Sequence, residues 1–447
     1  MSNFNVREAI ESNFGSFKND LADVVKENSK RRLAVDGAPF GAEARQALEK
    51  AIKISERFGF KTKVDPEGYY GYAEIGEGEE MLGILGHLDV VPADDAENWD
   101  SDPFTVTERD GKFFGRGVID DKGPMLASLY ALKILLDNGG KLNKRVRFIF
   151  CTDEESLWGS VKKYVELEEH PTFGFTPDAD FPLVYAEKGL VEYDLSADCG
   201  DSVELIGGTA YNAVAASAAI PFDEDVKNKM DELGYKYEVK DGKIVAIGKA
   251  AHAMVPEEGE NAIIHLVKAL YAAGKNNNMI NFINDVASDP FAEKIFGEVS
   301  DEVSGKLKFN IGTAEFKSGS QKLGIDIRFP VTYPKENVDK ALVEAGKKYG
   351  VKVEQFDYLR SLYVSLDTPL VKTLMQAYQE ISGDIETQPI STGGATFARS
   401  MDNIVAFGAL FPHSPKTEHQ VNECVVIDEL KSAMEVYVRA FELLATE

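Results

Sequence analysis

The sequence predicts an α/β fold built from both ends of the chain and interrupted by an inserted α+β domain. Three observations carry that expectation. In the first part, apolar runs of strand length alternate with segments of helical period. From about Lys188 the strand-like runs instead alternate polar and apolar residues. Near Leu366 the first texture returns. The 447 residues are too many for one typical domain. The expected boundaries are 1–187 and 365–447 for the two parts of the α/β domain and 188–364 for the insertion.

The elements follow in order. In AEARQALEKAIKISERFG, Ala44, Ala47, Leu48, Ala51 and Ile52 recur at helical spacing, and Gly59 is placed to end the helix. MLGILGHLDVV is an apolar run of strand length, GPMLASLYALKILLDNGG a helix running into a Gly-Gly stop, and RVRFIFCTDEE a second buried strand. Such alternation implies a mixed sheet flanked by helices. In the insertion, LVEYDLSAD alternates like an antiparallel strand. In KLGIDIRFPVTY, Leu323, Ile325, Ile327 and Phe329 share one face while Asp326 and Arg328 share the other. ENAIIHLVKALYAAG and ENVDKALVEAGKKYG read as helices on that sheet. The closing part holds a helix in TPLVKTLMQAYQEISG, an apolar strand in DNIVAFGAL and a final amphipathic helix with Leu430, Ala433, Met434, Tyr437, Val438 and Phe441 on its apolar face.

Bulk properties exclude several function classes. Hydrophobic residues make up 44% and charged residues 28%, the balance of a soluble globular protein. The opening MSNFNVREAIESNFGSF is polar and does not resemble a signal peptide. No stretch approaches the ~18 apolar residues of a membrane helix. Cys151, Cys199 and Cys424 lie far apart with no CxxC pair, which argues against a disulfide framework or cysteine-bound zinc and for the cytoplasm. A net charge of -26, from 49 basic and 75 acidic residues, repels nucleic acid. Its plain reading is a solvated acidic surface; attraction of cationic substrates is a second one.

Five motifs concentrate chemistry. His87 and Asp89 in GHLDVVP follow a buried strand and, two apart on an extended segment, face the same way. Strand C-terminal ends are where α/β sheets place ligands. Asp120 and Asp121 lie in GRGVIDDKGP; an acidic pair there also reads as a helix N-terminal feature, although the glycines favour close backbone approach. Asp153, Glu154 and Glu155 follow the next strand in CTDEES, a clustering that calls for bound cations or for screening by solvent. Asp178, with Asp180 nearby in TPDADFP, and His419 in TEHQVNE complete the set. Each alone has an ordinary structural reading. Together they gather oxygen and nitrogen donors suited to zinc, cobalt or manganese, in number enough for two ions sharing a carboxylate.

HLDVVP, GRGVIDDKG, TDEES, PDAD and HQVNE, in this order, resemble the signature of the zinc-dependent aminoacylase, carboxypeptidase and dipeptidase family, with the likeness greatest to its bacterial dipeptidase V branch. The resemblance implies a zinc-peptidase-like catalytic domain with an inserted lid domain. It implies two Zn²⁺, with Co²⁺ or Mn²⁺ as substitutes: His87 and Asp178 on one, Glu155 and His419 on the other, Asp120 bridging. It makes Glu154 the general base and Asp89 the partner that fixes the ligating tautomer of His87. It also implies a cis Asp120–Asp121 bond. In the lid, His252 of GKAAHAMVPEEGENA is implied as the donor to the oxyanion and Asn212 as a supporting donor. Arg328 is implied to clamp the substrate carboxylate, with an ion pair to Asp326 as its other reading. Gly393 and Gly394 are implied to let backbone approach the substrate. His413 stands where the family has a small residue and suggests a pocket or entrance role. His265 reads as a core or surface histidine, and His170 lies outside the site. The implied activity is hydrolysis of dipeptides with a free N-terminus and a free C-terminal carboxylate. An N-acyl amino acid deacylase or desuccinylase is the rival within this chemistry, separated by aspartate at 178 where deacylases tend to carry glutamate. A non-catalytic peptide-binding relative is the rival of another class, expected to lack a ligand or the base. The enlarged lid implies a monomer acting on small peptides.

Overall fold

A computed structural model describes residues 4–198 and 203–446. Cys199 lies outside the described residues; Cys151 and Cys424 are free and buried. The chain divides into two compact units. One holds the chain up to Tyr185, Val364–Ile390 and the chain from Thr396; the other holds Ala186–Tyr363 and Ser391–Ala395. The short return of Ser391–Ala395 to the inserted unit interrupts what the sequence suggests is one continuous closing segment. No helix among the described residues is long and apolar enough to cross a membrane.

The first unit is α/β. Its sheet runs in the order Lys61–Val64, Tyr70–Ile75, Arg145–Cys151, Met81–His87, Phe173–Thr176, Ile404–Ala406 and Val184–Glu187. The centre is parallel: Met81–His87 pairs in parallel with Arg145–Cys151 and with Phe173–Thr176, which pairs in parallel with Ile404–Ala406. The margins are antiparallel. Every residue of Met81–His87 is buried, which accounts for its unbroken apolar run, since a central strand is covered on both faces. Helices Lys122–Asp137 and Pro369–Ser382 each pack on Ile427–Ala445. The last buries Leu430, Ala433, Met434, Tyr437, Val438 and Phe441. Helix Ala42–Arg57 buries its expected stripe, and Gly59 follows its end at φ +88°.

The inserted unit is α+β. Its antiparallel sheet runs Tyr237–Lys240, Lys243–Ile247, Ser217–Pro221, Leu205–Gly207, Lys308–Lys317, Ser320–Phe329, Gly189–Ala197 and Lys352–Leu359. Leu323, Ile325, Ile327 and Phe329 share one core with helices Ala262–Ala272 and Asn278–Val286. Asp326 and Arg328, on the opposite face, are buried as well. They can be so because each satisfies the other.

Candidate metal centre

The parallel centre of the sheet assembles the site. Because Met81–His87, Arg145–Cys151 and Phe173–Thr176 run the same way, the chain leaving them brings His87 and Asp89, Glu154 and Glu155, and Asp178 to the same edge. Asp120 stands before helix Lys122–Asp137, and His419 comes from the loop ahead of strand Cys424–Val426.

Asp120 organises the five donors. Its Oδ1 lies 2.9 Å from Nε2 of His87, which is itself 3.6 Å from Oδ2 of Asp178. Its Oδ2 lies 2.9 Å from Nε2 of His419, which is 3.1 Å from Oε2 of Glu155. One carboxylate therefore faces two donor pairs with its two oxygens. Donor atoms of His87, Asp120 and Glu155 lie within 4.8 Å of one another. Nε2 of His87 and Oε1 of Glu155 are buried without a well-aligned hydrogen-bond partner, an arrangement protein interiors rarely leave unless an ion or water takes the lone pairs. Nδ1 of His87 is 3.0 Å from the carbonyl of Asp89. A carbonyl only accepts, so in the neutral ring Nδ1 holds the proton and Nε2 presents its lone pair. The residues present thus fit divalent cations, and the mixed nitrogen and oxygen donors suit zinc, cobalt or manganese.

The surrounding groups hold these donors in place. The carboxylate of Asp89 is 3.5 Å from the imidazole and engages elsewhere: its oxygens accept the N–H groups of Glu154 and Glu155, each at 3.0 Å. Asp89 thus holds His87 through its backbone and the Glu154–Glu155 turn through its side chain. The peptide bond Asp120–Asp121 is cis. Asp121 occupies the helix N-cap position, but its side chain makes no capping bond and instead accepts the N–H of His87 at 3.2 Å. Gly123 explains part of the glycine pattern: a Cβ there would sit 2.0 Å from the carbonyl oxygen of Val118. Asp153 serves structure, accepting from Arg31 and from the N–H of Gly159.

Glu423 is a buried contributor that the motif reading missed. Its Oε1 accepts the N–H groups of Gly117 at 2.9 Å, Ile119 at 3.2 Å and Asp120 at 3.4 Å, and Arg116 donates to its Oε2 at 2.6 Å. It fastens the loop that presents Asp120. The signal was present as the last residue of HQVNE, an acidic residue ahead of the apolar Cys424–Val426.

Electrostatics follow from this crowding. Burial opposes charging of His87, but the carboxylates of Asp120 and Asp178 beside its Nε2 hold it well above the ordinary histidine value. Hydrogen bonds to Asp120 and Glu155 raise His419 to about 11. Burial, with the charge of Asp120, raises Glu155 to about 7, and burial raises Glu154 well above the usual carboxylate range. In the metal-free chain the neighbouring carboxylates favour the protonated form of both imidazoles, and a ligand must lose that proton. Adding Zn²⁺ to metal-free protein in weak buffer at pH 7 is therefore expected to release protons, and affinity to fall as pH falls. Binding without acidification, read with a pH electrode, would contradict the donor set.

The other histidines lie elsewhere. His413 is exposed and pairs with Glu429 at 3.3 Å, beside a cavity of about 280 Å³ lined by Tyr378, Asp384 and Phe411. Asp180 pairs with Lys416, His170 reaches the carbonyl of Val165, and His265 stacks on Tyr235 with centroids 4.1 Å apart.

The inserted unit holds the remaining sequence candidates. Nδ1 of His252 accepts the N–H of Met254 at 3.1 Å. His252 pairs with Ala213 in an antiparallel bridge beside Asn212, whose carbonyl accepts the N–H of Ala253 at 2.9 Å. Arg328 is held bidentately by Asp326 at 3.0 and 2.9 Å and donates to the carbonyl of Gly393 at 2.6 Å. Three of its five N–H donors are thereby used. The N–H of Gly394 donates to Oγ1 of Thr392 at 3.0 Å.

Residues 83–443 match the profile of Peptidase family M20/M25/M40. A Bacillus subtilis (strain 168) protein named putative dipeptidase YtjP is 38% identical over 435 residues, 92% of each chain. One of Staphylococcus haemolyticus, named putative dipeptidase SH1171, is 34% identical over 471 residues, 99% of each. Among solved structures, human carnosine dipeptidase 1 superposes with a TM-score of 0.62 at 18% identity over 98% of each chain. Dug1p from Saccharomyces cerevisiae, described as a di-peptidase, gives 0.61 at 15% identity, again over 98% of each. At such identities the last two show the fold alone.

Proposed function

Because this chain belongs to peptidase family M20/M25/M40 and is a metal-dependent peptide-bond hydrolase, we propose that it is a dinuclear zinc dipeptidase. The observation that carries this reading is Asp120, whose two oxygens face His87 and His419 separately. His87 and Asp178 would hold one ion, Glu155 and His419 the other, with Asp120 between them. When bound, such a pair polarises the scissile carbonyl and makes water acidic near neutral pH.

The chain's own residues carry the remaining steps. Glu154 takes a proton from water and passes it to the leaving amine. Its burial supports this role, because burial makes the carboxylate a stronger base than an exposed glutamate. His252 donates from Nε2 to the developing oxyanion, with Asn212 as supporting donor. Arg328 takes the substrate's C-terminal carboxylate with its remaining donors. Asp178 serves the free amino end as well as an ion. Gly393 and Gly394 lie on the segment that the family likeness assigns to the substrate backbone. The preference for dipeptides is supported by the names of the relatives and by aspartate at 178. We assign a monomer in the cytoplasm, consistent with free Cys151 and Cys424.

Metal analysis coupled to a substrate panel tests this reading. Two zinc ions per chain and faster turnover of dipeptides than of tripeptides or N-acyl amino acids are expected. Preferential turnover of N-acetyl or N-succinyl amino acids would replace it with a deacylase, and peptide binding without metal or turnover with a non-catalytic relative. Sedimentation should give one chain per particle.

A further inference from the structure

The inserted unit joins the proposed oxyanion donor to the proposed carboxylate clamp through one close contact, between Met254 and Gly393. The N–H of Met254 points at Nδ1 of His252. A backbone N–H can only donate, so Nδ1 must offer a lone pair and the neutral ring must carry its proton on Nε2. Met254 in turn is pressed against Gly393: a Cβ built on Gly393 would lie 2.8 Å from Cβ of Met254 and 3.5 Å from its Cα. The carbonyl of the same glycine anchors Arg328. His252 also bridges to Ala213, and the carboxamide nitrogen of buried Asn310 donates to the carbonyls of Tyr211 at 2.8 Å and Ala213 at 2.9 Å, flanking Asn212. Asn310 stands opposite Asp326 in the sheet, and Asp326 grips Arg328. The loop that bears His252 therefore meets Gly393, whose carbonyl anchors Arg328, and bridges to Ala213, whose carbonyl is held by Asn310 opposite Asp326.

We propose that Gly393 is a positioning residue, whose missing side chain lets Met254 hold His252 as the Nε2–H tautomer while its carbonyl fixes Arg328 at a set separation. This rests on the roles assigned above to His252 and Arg328. It departs from the expectation that Gly393 is small so that substrate can approach: the atoms a side chain would strike belong to Met254. A methyl group at 393 would strike the Cβ of Met254, so the Met254 segment or the Gly393 segment has to shift, and a shift at Met254 loosens the N–H that selects the tautomer. Misplacement of about 1 Å near a reacting centre costs up to about 100-fold in rate.

The test is a double-mutant cycle read by kinetics and by ring ¹⁵N shifts of selectively labelled histidine in the zinc-loaded full chain. Wild-type His252 is expected to show a protonated Nε2 and an unprotonated Nδ1. Gly393→Ala is expected to lower kcat about 10- to 100-fold and to turn the His252 signals into a tautomer mixture. Met254→Gly removes the struck Cβ but keeps the amide, so Gly393→Ala should cost little in that background. Met254→Ala keeps the Cβ and should give no such relief. A wild-type ring protonated on Nδ1 overturns the proposal without any variant. So does a Gly393→Ala loss that persists undiminished in Met254→Gly, which would return Gly393 to contact with substrate. Because Met254→Gly makes room, the double variant keeps the test open if Gly393→Ala alone fails to fold. His252→Ala separates the two layers: unchanged kcat there would refute the oxyanion role, while the tautomer change in Gly393→Ala would still report the contact.

Discussion

Replacing Glu154 by glutamine is expected to lower kcat by about 10²- to 10⁴-fold while both metal sites stay filled. The reasoning is local. The backbone N–H of Glu154, not its side chain, is what Asp89 holds, so a glutamine of the same shape leaves that turn in place. None of the five proposed ligands is touched. What is lost is the only group in this arrangement assigned to move the proton from water to the leaving amine. Such a loss corresponds to about 3–5 kcal/mol of transition-state stabilisation. KM for a good dipeptide should change little. Stopped assays with parallel metal analysis decide the matter: near-native turnover by a fully loaded Glu154→Gln protein would remove Glu154 as the base.

Asp120→Asn is expected to have the larger effect on metal content. The substitution keeps the size of the side chain but leaves one carbonyl oxygen and one N–H₂, which cannot face two cations. Both imidazoles lose the carboxylate they share, since His87 and His419 each lie 2.9 Å from a different oxygen of this residue, and keep only Asp178 and Glu155 respectively. Outer partners of metal sites typically contribute about 10- to 100-fold in affinity or activity; a shared ligand should exceed that. Metal analysis after gel filtration is expected to find at most one ion per chain, and hydrolysis to fall by more than about 100-fold. Two retained zinc ions with ordinary affinity would show that Asp120 is not the bridge. The metal-free variant offers a second readout. The His419 ring, held at about 11 by Asp120 and Glu155 in the parent chain, should titrate closer to the ordinary histidine value.

The candidate site was unevenly legible. His87, Asp120 and Glu155 could be picked out because they follow apolar strands or stand before a helix, whereas Asp178 and His419 joined them only through the ordered motifs that carry the family resemblance. Arg328 and Asp326 were readable as a possible pair because residues two apart on a strand share a face. Asp89 was legible as a partner of His87, but not as the acceptor for Glu154 and Glu155, which arrive on a neighbouring strand. Glu423 carried no visible link to Asp120, 303 positions away in sequence. The small segment Ser391–Ala395 could not be assigned to the inserted unit, because nothing in its composition says against which strand it lies.

The sequence by itself determined the alternation of helix and strand, the insertion, and the stock of donors, because periodicity and side-chain chemistry are properties of short stretches. The tertiary structure alone decided which oxygen of Asp120 meets which imidazole, which amides fill the lone pairs of Asp89 and Glu423, and that Gly393 is small for the sake of Met254. Buried polar atoms must find partners, and a close contact leaves no room for a Cβ. Who the partner is depends on distances that exist only once strands hundreds of residues apart lie side by side.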